Sequence, residues 1–225
     1  QALRRRFPML KIRFQTACTC ISEAGRLNIF RALYALSVNL SENKSSMTNP
    51  KPGIPAYLNH IRIVLSRTSH PANIGAAARA MKTMGLSRLT LVAPQLIATP
   101  MTPEPPLFDA ACPQAFKLPQ ESFVLASGAA DVLENAQIAA TLAEALADTT
   151  LSCALTSRRR ELTSPLQTPR ELVPELLQAA QAGQQVALVF GNETFGLNIE
   201  EVQSCNRLMT INGNPNYFSL NLAQA

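Results

Sequence analysis

The strongest constraint on the fold is an alternation of short apolar runs with helical stretches, which begins near residue 60. Residues 61–65 and 186–190 are apolar and rich in β-branched side chains, a composition typical of buried strands. Residues 73–84 have helical composition, and Gly85 fits the left-handed position at which such a helix ends. Strands that alternate with helices predict an α/β fold, a mainly parallel sheet with helices on both faces.

Further apolar runs and helical stretches continue this alternation to the end of the chain. Their composition predicts strands over 88–92, 137–140, 151–155 and 207–211. The same criteria predict helices over 121–127, 131–135, 141–147, 169–182 and 199–205. The proline-rich stretch 95–120 is expected to be a long surface loop, and a last helix is expected to open at 219–225.

Three segments follow predicted strands at their carboxyl ends, namely 66–75, 191–197 and 212–221, and all are rich in Gly, Asn, Ser and Pro. Ligands of open parallel sheets bind where loops leave the carboxyl ends of strands, so these loops form the candidate site. The chain has no G-x-G-x-x-G after the first strand and no G-x-x-x-x-G-K-[ST]. A nucleotide would therefore have to be held by another kind of loop.

The net charge of +5 lies wholly in the N-terminal segment. Residues 1–46 contain eight Lys or Arg and two acidic residues, so any nucleic-acid contact by the main body must come from local patches. The segment suits an organelle transit peptide or translated sequence upstream of a start at Met47, and we favour the second interpretation. We expect residues 1–58 to be an extension, poorly ordered or non-native, and 59–225 to be the functional domain.

Cysteine and histidine usage argues against a metal site. The five cysteines include no CxxC pair, and the only histidines are His60 and His70. We therefore expect reduced thiols in a cytoplasmic protein without a metal partner. No apolar run approaches the ~20 residues that span a bilayer, so we expect no membrane partner either.

Three stretches that each follow a predicted strand resemble a known enzyme family. Residues 70–86 (HPANIGAAARAMKTMGL) are similar to the first motif of SpoU-type RNA 2′-O-ribose methyltransferases of the SPOUT superfamily. Residues 189–197 (VFGNETFGL) resemble the second motif, and residues 214–223 (NPNYFSLNLA) resemble the third. Their order and spacing match the family over about residues 59–225. The residues of these motifs most resemble those of the TrmJ-like branch, which methylates nucleotide 32 in the tRNA anticodon loop.

The resemblance implies a fold, a cofactor and an assembly. It implies a C-terminal trefoil knot, S-adenosylmethionine bound in that knot, and a homodimer whose site takes residues from both chains. Ile211 and Leu220 would flank the adenine ring, although each taken singly is better explained as plain core. By motif match, the cofactor-binding residues are Thr156, Ser157, Arg158, Gly191, Ile211, Ser219, Leu220 and Asn221.

The catalytic residues that the resemblance implies are Arg79, Asn73, Glu193 and Ser219. Arg79 is expected to stabilise a developing alkoxide at the ribose 2′-hydroxyl, because a guanidinium is a poor base. Asn73 and Glu193 would orient Arg79 or the ribose. Structural alternatives are a solvated helix face or phosphate contact for Arg79, and a helix cap for Asn73 or Ser219. For Glu193 the alternative is a place in the first turn of a helix.

Basic side chains near these motifs are candidate RNA contacts. Lys82 shares a helix face with Arg79 and would join a phosphate patch. The compact cluster of Arg158, Arg159 and Arg160 is either a phosphate grip or a solvated loop.

Two departures from the TrmJ-like pattern bear on function. The chain has Gly-Asn-Glu-Thr at 191–194 where that branch often has Gly-Arg-Glu-Arg, and its last helix is expected to stop at Ala225, before the branch's C-terminal RNA-binding extension. We predict an S-adenosylmethionine-dependent enzyme that methylates a ribose 2′-hydroxyl of tRNA, at nucleotide 32 (Cm/Um). The alternatives are a SPOUT-fold RNA-binding module with impaired catalysis, which the departures favour, and an rRNA 2′-O-methyltransferase.

Overall fold

The structure is a computed structural model, and it describes residues 53–157, 165–213 and 220–225. The predictions for residues 1–52 fall outside these ranges. So do those for Ser219 and for the cluster of Arg158, Arg159 and Arg160.

The described residues form a seven-stranded sheet in the order β3-β2-β1-β6-β4-β7-β5, and every neighbouring pair is parallel. All strands therefore end at the same edge of the sheet. The strands are β1 (Ile61–Ser66), β2 (Arg88–Val92), β3 (Gln137–Ala139), β4 (Leu151–Leu155), β5 (Leu166–Gln167), β6 (Val186–Phe190) and β7 (Arg207–Met209).

Six α-helices connect these strands in the described residues. Three short 3₁₀ turns accompany them, Ala56–His60, Pro113–Ala115 and Ser127–Ala129. The α-helices are α1 (Pro71–Thr83), α2 (Gln120–Ala126), α3 (Ala130–Glu134), α4 (Leu142–Ala145), α5 (Pro169–Gln181) and α6 (Ile199–Gln203).

Alternating side chains along each strand divide the core between the two faces of the sheet. Ile63 and Leu188 point to one face, where they pack in a cluster with residues of α1, α2, α3 and α5. Val64 and Val189 point to the other face, where they pack with residues of α4 and α6. Both faces of β1 and β6 are buried, which explains why these strands are mostly apolar rather than alternating between apolar and polar residues.

One charged side chain interrupts the apolar centre of the sheet. Arg62 of β1 is buried, and its guanidinium donates to both carboxylate oxygens of Asp148, at 2.7 and 2.6 Å, and to the carbonyl of Ala145 at 2.6 Å. Arg88 lies directly beside it on β2, 3.6 Å from the same carboxylate. Two guanidinium groups therefore share one carboxylate at the amino ends of the central strands.

Apart from the last helix, each predicted strand and helix agrees with the structure to within two residues at either end, and the α/β class is confirmed. The helix predicted over 219–225 is wrong for the described residues 220–225, which form a single turn with two backbone bonds to the Asn221 carbonyl. The Asn221 side chain accepts from the Ala223 amide at 3.0 Å, a local bond that competes with helix formation. One such turn does not offset the cost of helix nucleation.

Candidate functional site

A cavity of about 310 Å³ opens at the edge of the sheet where the strands end. The segments that follow β4, β6 and β7 surround it, together with residues near the end of the chain. This placement agrees with the rule that ligands of parallel sheets bind beyond the carboxyl ends of strands. The described lining residues are Leu155, Thr156, Ser157, Phe190, Gly191, Asn192, Glu193, Thr194, Phe195, Gly196, Leu197, Met209, Ile211, Leu220, Leu222 and Ala225.

The cavity has one apolar side and one polar side. Strand-end residues such as Phe190 and Met209 are buried and present aliphatic or aromatic surface. Thr156 and the segment 191–194 contribute hydroxyl, amide and carboxylate groups. Such a lining suits a ligand that combines a flat apolar ring with polar and charged substituents.

The segment 191–197, which we call the glycine loop, folds back tightly on itself. Asn192 and Gly196 form an isolated antiparallel bridge, and the Gly196 amide donates to the Asn192 carbonyl at 2.8 Å. A Cβ atom at Gly191 would lie 2.2 Å from the Leu197 nitrogen and 2.3 Å from the Gly196 carbonyl carbon. Only glycine fits at position 191, because neither contact is with a flexible side chain.

The Glu193 carboxylate joins the glycine loop to the segment after β1. It accepts from the Ser69 amide at 2.9 Å, the Ser69 hydroxyl at 2.8 Å and the His70 amide at 3.4 Å. The Asn73 side chain donates to the same carboxylate at 2.9 Å. Burial raises the pKa of the Glu193 carboxyl, but the hydrogen bonds from Asn73 and Ser69 outweigh burial and leave the pKa below its ordinary value. Glu193 is therefore ionised at neutral pH.

Asn73 stands between Glu193 and the end of the chain. Its amide nitrogen donates to Glu193, and its amide oxygen accepts from the Asn221 side chain at 3.1 Å. The alternative interpretation of Asn73 as a helix cap is wrong, because His70 is the N-cap residue and Asn73 lies inside α1. Hydrogen bonds thus join one residue from each of the three motifs, in the order Asn221, Asn73 and Glu193.

The two basic residues of α1 lie away from the cavity lining. Arg79 is exposed, and its guanidinium makes no hydrogen bond or ion pair within the part of the chain that the structure describes. Lys82 forms an ion pair with Asp131 at 2.6 Å, so its charge is already matched. Within a single chain, Arg79 therefore fits the alternative interpretation of a side chain on a solvated helix face.

The predicted cofactor residues divide into two groups. Thr156, Ser157, Gly191, Ile211 and Leu220 line the cavity. Asn221 does not line it and contacts Asn73 instead. The remaining two, Arg158 and Ser219, are outside the described ranges. Across those ranges, no group of three or more His, Cys, Asp or Glu side chains is arranged to hold a metal ion.

Sequence reasoning missed several residues of the site. Ser69, which donates twice to Glu193, was inside a predicted loop but carried no assigned role, although its place just after a strand was a usable signal. Asn192 was noted only as a departure from a motif, yet it is buried, and its side chain bonds two backbone amides of the glycine loop and the Arg67 carbonyl. Leu155 stood at the end of its predicted strand, which was a usable signal, whereas Met209 lay in the middle of the strand predicted over 207–211 and gave no such signal.

Comparison with known proteins places this cavity in a family. The model of the SpoU rRNA methylase family matches residues 60–225, a range that includes every residue of the cavity. The chain belongs to the SpoU rRNA methylase family. Among its SpoU relatives is the tRNA (cytidine/uridine-2′-O-)-methyltransferase TrmJ of Salmonella typhimurium, which is 44% identical over 168 residues. That alignment covers 75% of this chain and 60% of TrmJ, so the chain spans about 60% of the length of such curated relatives.

Solved structures of SpoU-like proteins share the fold. A methylase family protein from Neisseria gonorrhoeae is 75% identical with a TM-score of 0.74, and the match covers 78% of this chain and 81% of that one. TrmJ from Zymomonas mobilis (Z. mobilis ZM4) is 34% identical with a TM-score of 0.58, over 72% of this chain and 63% of that one. In the described segments of this chain, every helix is too short or too polar to traverse a lipid bilayer.

Proposed function

We propose that this chain is an S-adenosylmethionine-dependent methyltransferase that acts on a ribose 2′-hydroxyl of tRNA, at anticodon-loop nucleotide 32. The observation that carries the proposal is that residues of the second and third motifs line one cavity, and that Asn73 of the first motif is hydrogen-bonded to Glu193 in its wall and to Asn221. Similarity to curated TrmJ proteins supports the choice of tRNA and of the 2′-hydroxyl. The nucleotide position follows from the resemblance of the motifs to the TrmJ-like branch.

The chemistry of the cavity fits the proposed cofactor. Ile211 and Leu220 offer apolar surface for an adenine ring, while Thr156 and the glycine loop offer polar groups for its edge and for the ribose. The cofactor, when bound, supplies a methyl group on a positively charged sulfur. The ionised Glu193 carboxylate favours a cation in the cavity and disfavours an anion. No phosphate-binding loop is needed, since the cofactor carries no phosphate.

Arg79 acts in this proposal by electrostatics rather than by taking a proton. Its guanidinium stabilises the negative charge that develops on the ribose 2′-oxygen. Because Arg79 is exposed and does not line the cavity of its own chain, it serves the cavity of a second chain in a homodimer. Glu193 and Asn73 fix the start of the helix that carries Arg79. The proposed fold includes the trefoil knot of SPOUT proteins.

The decisive test is the replacement of Arg79 with alanine. Arg79→Ala is expected to reduce transfer of tritiated methyl groups to unfractionated tRNA by at least ~10²-fold, because a charge aimed at the transition state is lost. The affinity for S-adenosylmethionine in calorimetry should stay within a few-fold. Arg170 is also an exposed helical arginine, in α5. Arg170→Ala is therefore the matched control and should keep full activity. Full activity of Arg79→Ala would refute the assigned role.

The two alternatives separate in the same experiment. A titration of the wild-type chain with S-adenosylmethionine that releases no heat would identify an RNA-binding module without turnover. The family model describes rRNA methylases, so rRNA fragments must be assayed beside tRNA. Nuclease mapping of the resistant linkage then tests nucleotide 32, and a modified site elsewhere would overturn that part of the proposal.

A further inference from the structure

The ion pair between Arg67 and Glu201 contacts the glycine loop, and both residues lie outside the three motifs. Arg67 follows the last residue of β1 and adopts a left-handed backbone conformation, with φ of 52°. Its guanidinium contacts both carboxylate oxygens of Glu201, at 3.2 Å from Nε and 2.6 Å from Nη2. The same Nη2 donates to the Gly196 carbonyl in the glycine loop at 3.3 Å.

Glu201 is buried, and its carboxylate accepts hydrogen bonds from three residues in two parts of the chain. Besides Arg67, the Ser66 hydroxyl and the Asn198 amide (2.6 Å) both donate to its carboxylate. Burial raises the pKa of the Glu201 carboxyl, but hydrogen bonds from Ser66, Asn198 and Arg67 outweigh burial and leave the pKa below its ordinary value. The carboxylate is therefore charged at neutral pH, and its surroundings make Arg67 its counter-ion.

The opposite end of the glycine loop is tied to the backbone of the same arginine. The Asn192 side chain donates to the Arg67 carbonyl at 2.7 Å and accepts from the amides of Thr194 and Phe195 at 2.9 and 3.1 Å. Arg67 thus holds position 192 through its carbonyl and position 196 through its guanidinium. These two positions are the ones that bridge to close the loop.

Arg67 and Glu201 can affect ligand binding only through the glycine loop. The glycine loop forms one wall of the cavity, and Arg67 and Glu201 themselves do not line it. Removing either partner leaves a buried or half-buried charge without its counter-ion, which is strongly unfavourable. The loop then relaxes away from the shape that the ion pair imposes, and the wall of the cavity moves with it.

We propose that Arg67 and Glu201 are positioning residues that hold the glycine loop in its cofactor-binding shape. The inference rests on the proposed function, since it assumes that the cavity binds S-adenosylmethionine. Neither residue touches the ligand. They act through Gly196, Asn192 and Asn198, and so they set the affinity for the methyl donor rather than the rate of transfer once the donor is bound.

The test measures the affinity for S-adenosylmethionine by calorimetry in Arg67→Ala, Glu201→Gln and the double variant. Each single variant is expected to weaken binding at least ~5-fold, a typical coupling between sites. The double variant should be little weaker than either single variant, because both remove the same interaction. The KM for the methyl donor should rise while kcat at saturating donor changes little.

The matched control is a second arginine–glutamate pair, neither residue of which lines the cavity. Arg207 of β7 contacts Glu175 of α5 at 2.7 Å and joins a strand to a helix. Arg207→Ala should leave donor affinity within twofold of wild type, even where it lowers the melting temperature. This separates loop positioning from general stability.

Each outcome decides the proposal. A wild-type chain that does not bind S-adenosylmethionine overturns the proposed function itself. Wild-type binding together with unchanged affinity in a folded Arg67→Ala overturns the role of the ion pair alone. If Arg67→Ala does not fold, Arg67→Lys replaces it, since it keeps the charge but not the two-point contact. Weaker donor binding by folded Arg67→Lys supports the role, and wild-type affinity overturns it.

Discussion

At the scale of single residues, the Glu193 carboxylate is the best-connected side chain of the site. Its acceptor oxygens receive two backbone amides, one hydroxyl and one side-chain amide. All of these partners are donors, so the geometry specifies an ionised carboxylate rather than a carboxylic acid or an amide. The carboxylate also lies near the amino end of α1, where negative charge is favourable.

Glu193→Gln tests this arrangement with almost no change in size. The glutamine NH₂ group would face donors, so we expect the free energy of unfolding to fall by ~1–3 kcal/mol in chemical denaturation. We also expect weaker binding of S-adenosylmethionine, because the cavity loses its negative charge. Glu104→Gln removes an exposed carboxylate that makes no bond to the described residues, and it should change neither quantity. Equal stability of Glu193→Gln and wild type would contradict this account.

Sequence could predict Asn73 and Glu193 as site residues because both stand in recognisable motifs. It could not predict that Asn221 bonds Asn73 rather than lining the cavity, since a partner 148 positions away depends on the folded backbone. The structural role of Asn192 was hidden for the same reason. Its carbonyl partner, Arg67, belongs to a different strand end.

At the scale of elements, α1 and α2 approach each other closely at one glycine. A Cβ atom at Gly75 would lie 2.1 Å from the Ser122 carbonyl oxygen and 2.9 Å from the Ala126 nitrogen. The Ser122 hydroxyl also donates to the Pro71 carbonyl at 2.9 Å, which fixes the two helices in register. Backbone therefore packs against backbone at this crossing, without a side chain that can move aside.

Gly75→Ala should destabilise the protein although alanine is the better helix former. The gain in helix propensity is ~1 kcal/mol, whereas separation of two packed helices costs ~1–3 kcal/mol or more. We expect a lower melting temperature in calorimetry. Gly128→Ala is the control, because a Cβ atom there meets nothing within 4 Å and the backbone is not left-handed. A Gly75→Ala variant as stable as Gly128→Ala would show that the helices can separate freely.

Periodicity and composition predicted most elements because both faces of the sheet are buried. The apolar runs of β1 and β6 predict buried central strands, as the structure shows. The two-residue strand β5 (Leu166–Gln167) escaped prediction because two residues carry no pattern. The last helix was wrongly predicted from composition, since propensity does not report the local bond that Asn221 makes.

At the scale of the whole molecule, stability depends on a few carboxylates that neutralise buried or half-buried arginines. Asp148 serves both Arg62 and Arg88. Hydrogen bonding and charge attraction from Arg62 outweigh the effect of burial and lower the pKa of the Asp148 carboxyl. Protonation of this one group would leave two neighbouring guanidinium groups without a counter-ion.

The pH dependence of stability follows from the direction of this shift. A carboxyl with a lowered folded pKa contributes stability above its unfolded pKa of ~3.9, and this contribution is lost as pH falls through the folded value. Asp148→Asn should therefore melt at a lower temperature than wild type at pH 7. The difference should shrink as the pH drops below ~4. A difference that stays constant from pH 7 to pH 3 would exclude this role of Asp148.

The bonds between Glu193 and the residues before α1 have a consequence for inhibitors. A compound that wedges the glycine loop open must move Glu193, and with it the anchor of Ser69 and Asn73. The helix that presents Arg79 would lose its fixed starting point at the same moment. Under the proposed function, blocking the cavity and displacing Arg79 are thus one mechanical event, and a small molecule need not resemble RNA to disturb both.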